Sequence, residues 1–199
     1  MSHVRQEIIP RVAMMVYVDE TSTVEDVGLT LDSFYDQNVP PHEVVLIWNV
    51  PGQECPPNYV RFLMNHTIKW HVDKIKGANK TNSDILVQAD YGESVDMALN
   101  NKDMTAVYYT ACKAGYVYPA YYIDVIDKAI NEKMIAFIAL LPDEDGNGVF
   151  VQRQIHKMVY GNSRNGECFN VIDKLKFVSK AEGTETMIKT FDELRESMI

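Results

Sequence analysis

Two groups of polar residues stand where ligand chemistry could be done. Asp19-Glu20 follows the apolar run Arg11-Val12-Ala13-Met14-Met15-Val16-Tyr17-Val18, and Asn49 closes the run Val44-Val45-Leu46-Ile47-Trp48 ahead of Val50-Pro51-Gly52. If both runs are parallel strands of one open sheet, Val18-Asp19-Glu20 and Asn49-Val50-Pro51-Gly52 face the same crevice, because such sheets bind ligands beyond the carboxyl ends of their strands. A second candidate is Asp143-Glu144-Asp145-Gly146-Asn147-Gly148, which matches the first half of a calcium loop, with oxygen donors at alternate positions and glycine at the sixth. Its twelfth position is Gln154 where a bidentate Glu is wanted, and the preceding segment reads as strand. Asn147-Gly148 before Val149-Phe150-Val151 is therefore read as a hairpin turn. His156 lies in Gln152-Arg153-Gln154-Ile155-His156-Lys157, whose alternation fits a strand with the imidazole toward solvent. Cys55, Cys112 and Cys168 form no Cys-x-x-Cys pair, so neither a zinc site nor a disulfide framework is indicated.

The elements that would position these groups start with a βαβ unit. After the first apolar run, Asp19-Glu20-Thr21-Ser22-Thr23 offers turn formers and an N-cap, and Val27, Leu31 and Phe34 recur at helical spacing until Pro40-Pro41. The uninterrupted apolar character of both flanking runs is expected of parallel strands covered on both faces. Further strands are expected at residues 67–72, 106–109 and 135–141. The predicted architecture is α/β: a mixed but mainly parallel sheet flanked by helices, in a single domain over residues 1–199. Near the C-terminus Thr184 is read as the cap of a helix through Leu194, with Met187, Ile188, Phe191 and Leu194 as its apolar stripe. Tyr108 and Tyr109 must point to opposite faces of their strand. Tyr116 and Tyr118, after Gly115, are better placed to meet a ligand, and Trp48 and Trp70 are assigned to the core.

Tyr17-Val18-Asp19-Glu20, a helix with Leu31-Asp32-Ser33-Phe34, and Glu43-Val44-Val45-Leu46-Ile47-Trp48-Asn49 together resemble the opening of a glycosyltransferase of the GT-A fold. Val45 to Gly52 with Pro56-Pro57 is closest to exostosin-like members, and family-2-like members share the plan. A second block, Asp96-Met97-Ala98-Leu99-Asn100, then Thr105 to Tyr109, then Tyr118-Pro119-Ala120-Tyr121-Tyr122, is similar to the stretch around that family's metal-binding Asp-x-Asp. The likeness spans roughly residues 10 to 140. It implies a nucleotide-binding half over about 10–118 and an acceptor half over about 119–199, with transfer of a sugar from a nucleoside-diphosphate sugar, UDP-linked, to an acceptor hydroxyl on a glycan or protein. The nucleotide would then lie against Tyr17, Val18, Asp19, Asn49, Asp90 and Thr110. Inverting members carry a carboxylate base at a helix start near the acceptor, which the resemblance maps onto Glu185 and Glu182; acids in a first helical turn also serve its dipole without any such role.

Where the family has Asp-x-Asp, this chain has Thr110-Ala111-Cys112-Lys113. Three readings follow. Activity was lost and the chain is a scaffold; another carboxylate, best Asp90, supplies a site for Mn2+ or Mg2+; or Lys113 replaces the metal by stabilising phosphate charge. Asp90 also reads as a turn aspartate before Gly92, and Lys113 as a solvated loop residue. A nucleotidyltransferase on the same sheet plan is a further class, though neither its Gly-rich phosphate loop nor its Asp-bearing strand end is evident.

Composition bounds these readings. The 199 residues are 46% hydrophobic and 24% charged, enough for one globular core. A net charge of −9 disfavours nucleic-acid partners held through phosphates. No run is long enough to span a bilayer, and the first residues lack a secretory signal, so a cytoplasmic location is expected.

Overall fold

The computed structural model describes residues 9–75, 89–133, 137–160, 180 and 186–199. They form β1 (Val12–Asp19), α1 (Val24–Tyr35), β2 (Glu43–Asn49), α2 (Pro57–Met64), β3 (Lys69–Lys74), α3 (Tyr91–Leu99), β4 (Tyr108–Lys113), α4 (Tyr122–Lys133), β5 (Phe137–Leu140), β6 (Val149–Gln152), α5 (Arg153–Tyr160), β7 (Thr186–Lys189) and α6 (Phe191–Ser197). The strands make one sheet in the order β3-β2-β1-β4-β6-β5-β7. β1 pairs in parallel with both β2 and β4, β2 with β3, and β5 with β7; β6 alone runs against its neighbours β4 and β5. This is the mainly parallel mixed sheet flanked by helices that the apolar runs predict.

The two-sided burial of β1 shows why its sequence never alternates. Val12, Met14, Val16 and Val18 join the core under α1, α2 and α4, with Val27, Leu31, Phe34, Leu63 and Ile126. Ala13, Met15 and Tyr17 join the opposite core with Val95, Leu99 and Ile155 of α3 and α5. Every second residue of the strand thus faces a covered surface on either side, and an apolar side chain is favoured at each position. α1 begins at a reciprocal capping box in which Thr23 accepts from the Asp26 amide and Asp26 accepts from the Thr23 amide.

Four expectations are corrected. β4 does not end at Tyr109 but runs on through Lys113, so Thr110 and Cys112 are strand residues with no exposure. Helix α5 stands where a strand was read around His156; the imidazole is fully buried and bound to Tyr109 and Asp96. Met187 and Ile188 lie in β7, and the last helix starts later, capped by Thr190 and Glu193. Tyr118 is buried under a covering of ring contacts. Thr184, Cys168 and residues 85–87 lie outside the described residues.

At the amino-terminal edge of the sheet, the fully buried Glu43 ties three segments together. Its Oε1 accepts from the Thr105 amide at 2.7 Å, the Thr105 hydroxyl at 2.6 Å and Lys69 Nζ at 3.3 Å, and its Oε2 is 3.7 Å from His71 Nε2. Burial by itself would raise this carboxyl, but the Thr105 donors and Lys69 outweigh it and hold it below the usual glutamate range. A depressed carboxyl stabilises the fold fully above its unfolded pKa, and that contribution is lost as pH falls through the lower folded value. Glu43→Gln is expected to lower stability by about 1–3 kcal/mol at neutral pH, and the difference from wild type should shrink below the ordinary glutamate pKa; urea denaturation at pH 7 and pH 3 measures both.

Candidate functional site

The carboxyl ends of β1, β2 and β4 lie side by side in the sheet, where open α/β sheets form their ligand crevice, and a buried polar knot fastens them. Asn49, the last residue of β2, donates through Nδ2 to Ala89 O at 2.8 Å and the Tyr17 hydroxyl at 3.0 Å, with Ser94 Oγ at 3.4 Å. It thereby fastens the first turn of α3 to the ends of two strands. Tyr17 packs edge-on against Tyr91 with ring centroids 5.4 Å apart, and Lys113 Nζ sits 5.5 Å from the Tyr91 centroid. The Tyr91 hydroxyl reaches across to donate to Gly146 O at 3.0 Å. Burial raises the Tyr17 phenol, and the charges of Asp19, Asp90 and Glu20 push it further in the same direction, against the Asn49 hydrogen bond. Three carboxylates therefore bear on this crevice, with the Lys113 ammonium at the end of β4.

Of the residues expected here, Tyr17, Asn49 and Asp19 do converge at the ends of β1 and β2. Val18 is buried with its side chain in the α1-side core. Thr110 does not reach the crevice: its hydroxyl lies within the protein, 2.8 Å from the Tyr118 hydroxyl and 3.2 Å from that of Tyr122. Because β4 is longer than expected, the residues at its exit are Lys113, Ala114 and Gly115. Their path is fixed by α1. Thr30 Oγ1 accepts from the Gly115 amide at 2.9 Å and donates to Tyr116 O at 2.8 Å, Ser33 Oγ accepts from the Tyr118 amide, and Gln37 Nε2 donates to Pro119 O. Gly115 has φ 98°, a conformation strained for other residues, and a Cβ there would come 3.3 Å from Asp26 Oδ1, so the Asp26 side chain would have to give way. Thr30 and Ser33 lie on α1 and Gln37 just past its end, spaced by three and four beside Leu31 and Phe34, but nothing in the sequence named their partners.

The carboxylates that could hold a divalent ion are engaged locally. Asp19 Oδ1 accepts from the Thr21 amide at 2.9 Å and the Thr21 hydroxyl at 2.6 Å. Asp90 caps α3, accepting from the Glu93 amide at 2.8 Å while Glu93 returns the bond to the Asp90 amide. Asp143 Oδ1 accepts from the Asp145 and Asn147 amides, closing the turn that had the look of a calcium loop. Among the described residues no group of three or more His, Cys, Asp or Glu is arranged to hold a metal ion. Glu182 and Glu185 lie outside the described residues. The relay that sequence reading missed, Tyr109 hydroxyl to His156 Nδ1 at 2.6 Å and His156 Nε2 to Asp96 Oδ1 at 3.2 Å, ties α5 to α3 beneath β4.

No protein-family model matches the chain, and no curated protein matches it in sequence. In structure it is similar to the mannosyltransferase PcManGT from Pyrobaculum calidifontis in complex with GDP-Man and Mn2+, with TM-score 0.58 and 12% identity over 91% of this chain and 55% of that one. It is also similar to S. aureus TarS 1-349, with TM-score 0.54 and 12% identity over 94% of this chain and 64% of that one. A third likeness is to 4-diphosphocytidyl-2C-methyl-D-erythritol synthase from Anaerococcus prevotii, with TM-score 0.50 and 9% identity over 91% and 88% of the two chains. The chain thus spans less than two thirds of the length of the first two. These likenesses, together with the strand order, give the chain the GT-A-like α/β fold that sugar and nucleotidyl transferases share. No helix among the described residues is long and apolar enough to cross a membrane.

The capping geometry of Asp90 generates a test of its role. Asp90→Ala should lower stability by about 1 kcal/mol in metal-free buffer and Asp90→Ser should recover most of it. A metal-ligand role would show instead as manganese-dependent thermal stabilisation of wild type that both variants lose.

Proposed function

We propose that the chain is a glycosyltransferase-like protein that holds a nucleoside-diphosphate sugar, UDP-linked, in the crevice between β1, β2 and β4 and passes the sugar to an acceptor hydroxyl. The observation that carries this reading is Lys113 at the exit of β4, its ammonium over the Tyr91 ring and beside the floor made by Tyr17 and Asn49. That is where a GT-A-like sheet puts the diphosphate, and the structural neighbours include a mannosyltransferase with GDP-Man and TarS with UDP-GlcNAc. Tyr17, Asn49 and Tyr91 would orient the nucleoside by stacking and hydrogen bonding. Lys113 would meet the charge that accumulates on the leaving diphosphate, the task the family gives to a metal ion.

Asp19 and Asp90 each use one carboxylate oxygen to close a turn or cap a helix, and among the described residues no group of three or more His, Cys, Asp or Glu is assembled to hold Mn2+ or Mg2+. A single ammonium near a protein surface interacts with a phosphate at about 4 Å by on the order of 4 kcal/mol before solvent screening, which exposure of Lys113 reduces further. Glu185, or Glu182, is proposed as the base that takes the acceptor proton; the first lies immediately before β7 in the chain.

A second reading, a module that binds the sugar nucleotide without transferring it, is favoured by the same local engagement of Asp19, Asp90 and Asp143. Turnover separates the two. Sugar release from a UDP-sugar, followed by chromatography of the products, is expected for the enzyme and absent for the module.

Lys113→Ala should weaken UDP binding about tenfold or more in isothermal titration, equal to roughly 1.4 kcal/mol, and added manganese should not restore it. Binding that survives this substitution and disappears with a chelator would place the charge compensation on a metal.

A further inference from the structure

Beyond the crevice, across the turn of residues 141–148, lies a second concavity of about 350 Å3. The two share a wall. Asn147 Oδ1 accepts from the Lys113 amide at 2.8 Å, Tyr91 touches the turn at Gly146 from the crevice side, and Tyr116 packs on it at Gly148 from the other. The second cleft is lined by Tyr116, Tyr121, Leu141, Asp143, Phe191 and Asp192 among others, and no lysine or arginine is among its described lining residues.

Its chemistry is specific. Tyr121 and Phe191 stack with ring planes 20° apart, and Tyr121 remains 37% exposed, beside an exposed Leu141. The Tyr121 ring is held in place because Arg195 Nη1 donates to its hydroxyl at 3.0 Å. Asp143 and Asp192 flank Tyr116, whose phenol is raised first by burial and then by these charges. Asp192 lies 3.8 Å from Arg195 at the surface, and Asp143 accepts backbone amides through Oδ1, so both carboxylates keep oxygens that can accept from a ligand. A fixed aromatic face beside carboxylate acceptors suits the C–H face and adjacent hydroxyls of a pyranose. The carboxylates at its rim, with no lysine or arginine among its described lining residues, oppose a phosphorylated ligand by like-charge repulsion.

We infer that this cleft binds a neutral pyranose, on the far side of the 141–148 turn from the proposed donor crevice. The inference does not depend on the proposed transfer function.

Saturation-transfer NMR on the whole chain tests it, using methyl glycosides of glucose, galactose, mannose and N-acetylglucosamine, with glucose 6-phosphate and a lysine-rich peptide as controls. At least one neutral glycoside should receive saturation, mainly at the C–H protons of one ring face. The signal should fall about fivefold in Tyr121→Ala, persist in Tyr121→Phe, and weaken in Asp192→Asn, a substitution at an exposed side chain that the fold tolerates. No transfer to any neutral glycoside, transfer insensitive to Tyr121→Ala, or equal response to glucose 6-phosphate or the peptide overturns the inference. Titrating UDP into the same samples keeps the two ideas apart. UDP binding without glycoside binding refutes the cleft alone, and glycoside binding without UDP binding refutes the donor reading alone.

Discussion

A buried side-chain amide at the carboxyl end of β2 has to find acceptors for its N–H groups, and the acceptors Asn49 finds set the geometry of the crevice. Its Nδ2 reaches the Tyr17 hydroxyl on β1, Ala89 O ahead of α3 and the vicinity of Ser94 within that helix. Leaving such a donor unpaired in the interior costs on the order of 1–3 kcal/mol. The three elements are therefore held in one arrangement, and Tyr91, the first residue of α3, is brought against Tyr17 and beneath Lys113. From Tyr91 the connection continues to Gly146, so the turn that divides the two clefts is referenced to the same amide.

Electrostatics then limits what the crevice can do. Asp19, Glu20 and Asp90 all act on the Tyr17 phenol, and a diphosphate brought beside them would be repelled. Either a divalent ion or a protein cation must offset that repulsion. Asp19 and Asp90 each commit one oxygen to a turn or a helix cap, whereas Lys113 is the last residue of β4, paired in register with Tyr17. Its ammonium lies 5.5 Å from the Tyr91 ring centroid, and no carboxylate among the described residues forms an ion pair with it.

The β1-α1-β2 unit was legible because each of its signals is local: unbroken apolar runs, a three-and-four stripe, and turn formers at the cap. The extent of β4 was not, because Thr110-Ala111-Cys112 is neither an apolar run nor an alternating one, and its burial comes from Tyr118 and Tyr122 packing back from later in the chain. His156 misled for a related reason. Five polar residues in Gln152-Arg153-Gln154-Ile155-His156-Lys157 suggest exposure, yet Arg153 is drawn onto the carbonyls of Leu99, Asn101 and Met104, and His156 is buried by Tyr109 and Asp96. The true start of the last helix did carry its own mark: Thr190-Phe191-Asp192-Glu193 is a capping-box sequence, and Thr184 lacks the acid three residues on. Tyr17, Asp19 and Asn49 were named from the strand ends alone, whereas Tyr91, beside Asp90 and after the short apolar run Ile85-Leu86-Val87, was not singled out.

The central claim is that a lysine, not a metal, meets the diphosphate at the end of β4. A crystal structure of the protein with UDP, grown with manganese present, tests it most directly. The account predicts phosphate oxygens within hydrogen-bond reach of Lys113 Nζ, the nucleoside against Tyr17 and Asn49, and no manganese between phosphate and protein. Manganese bridging the diphosphate to Asp19 or Asp90, with Lys113 turned to solvent, would contradict it.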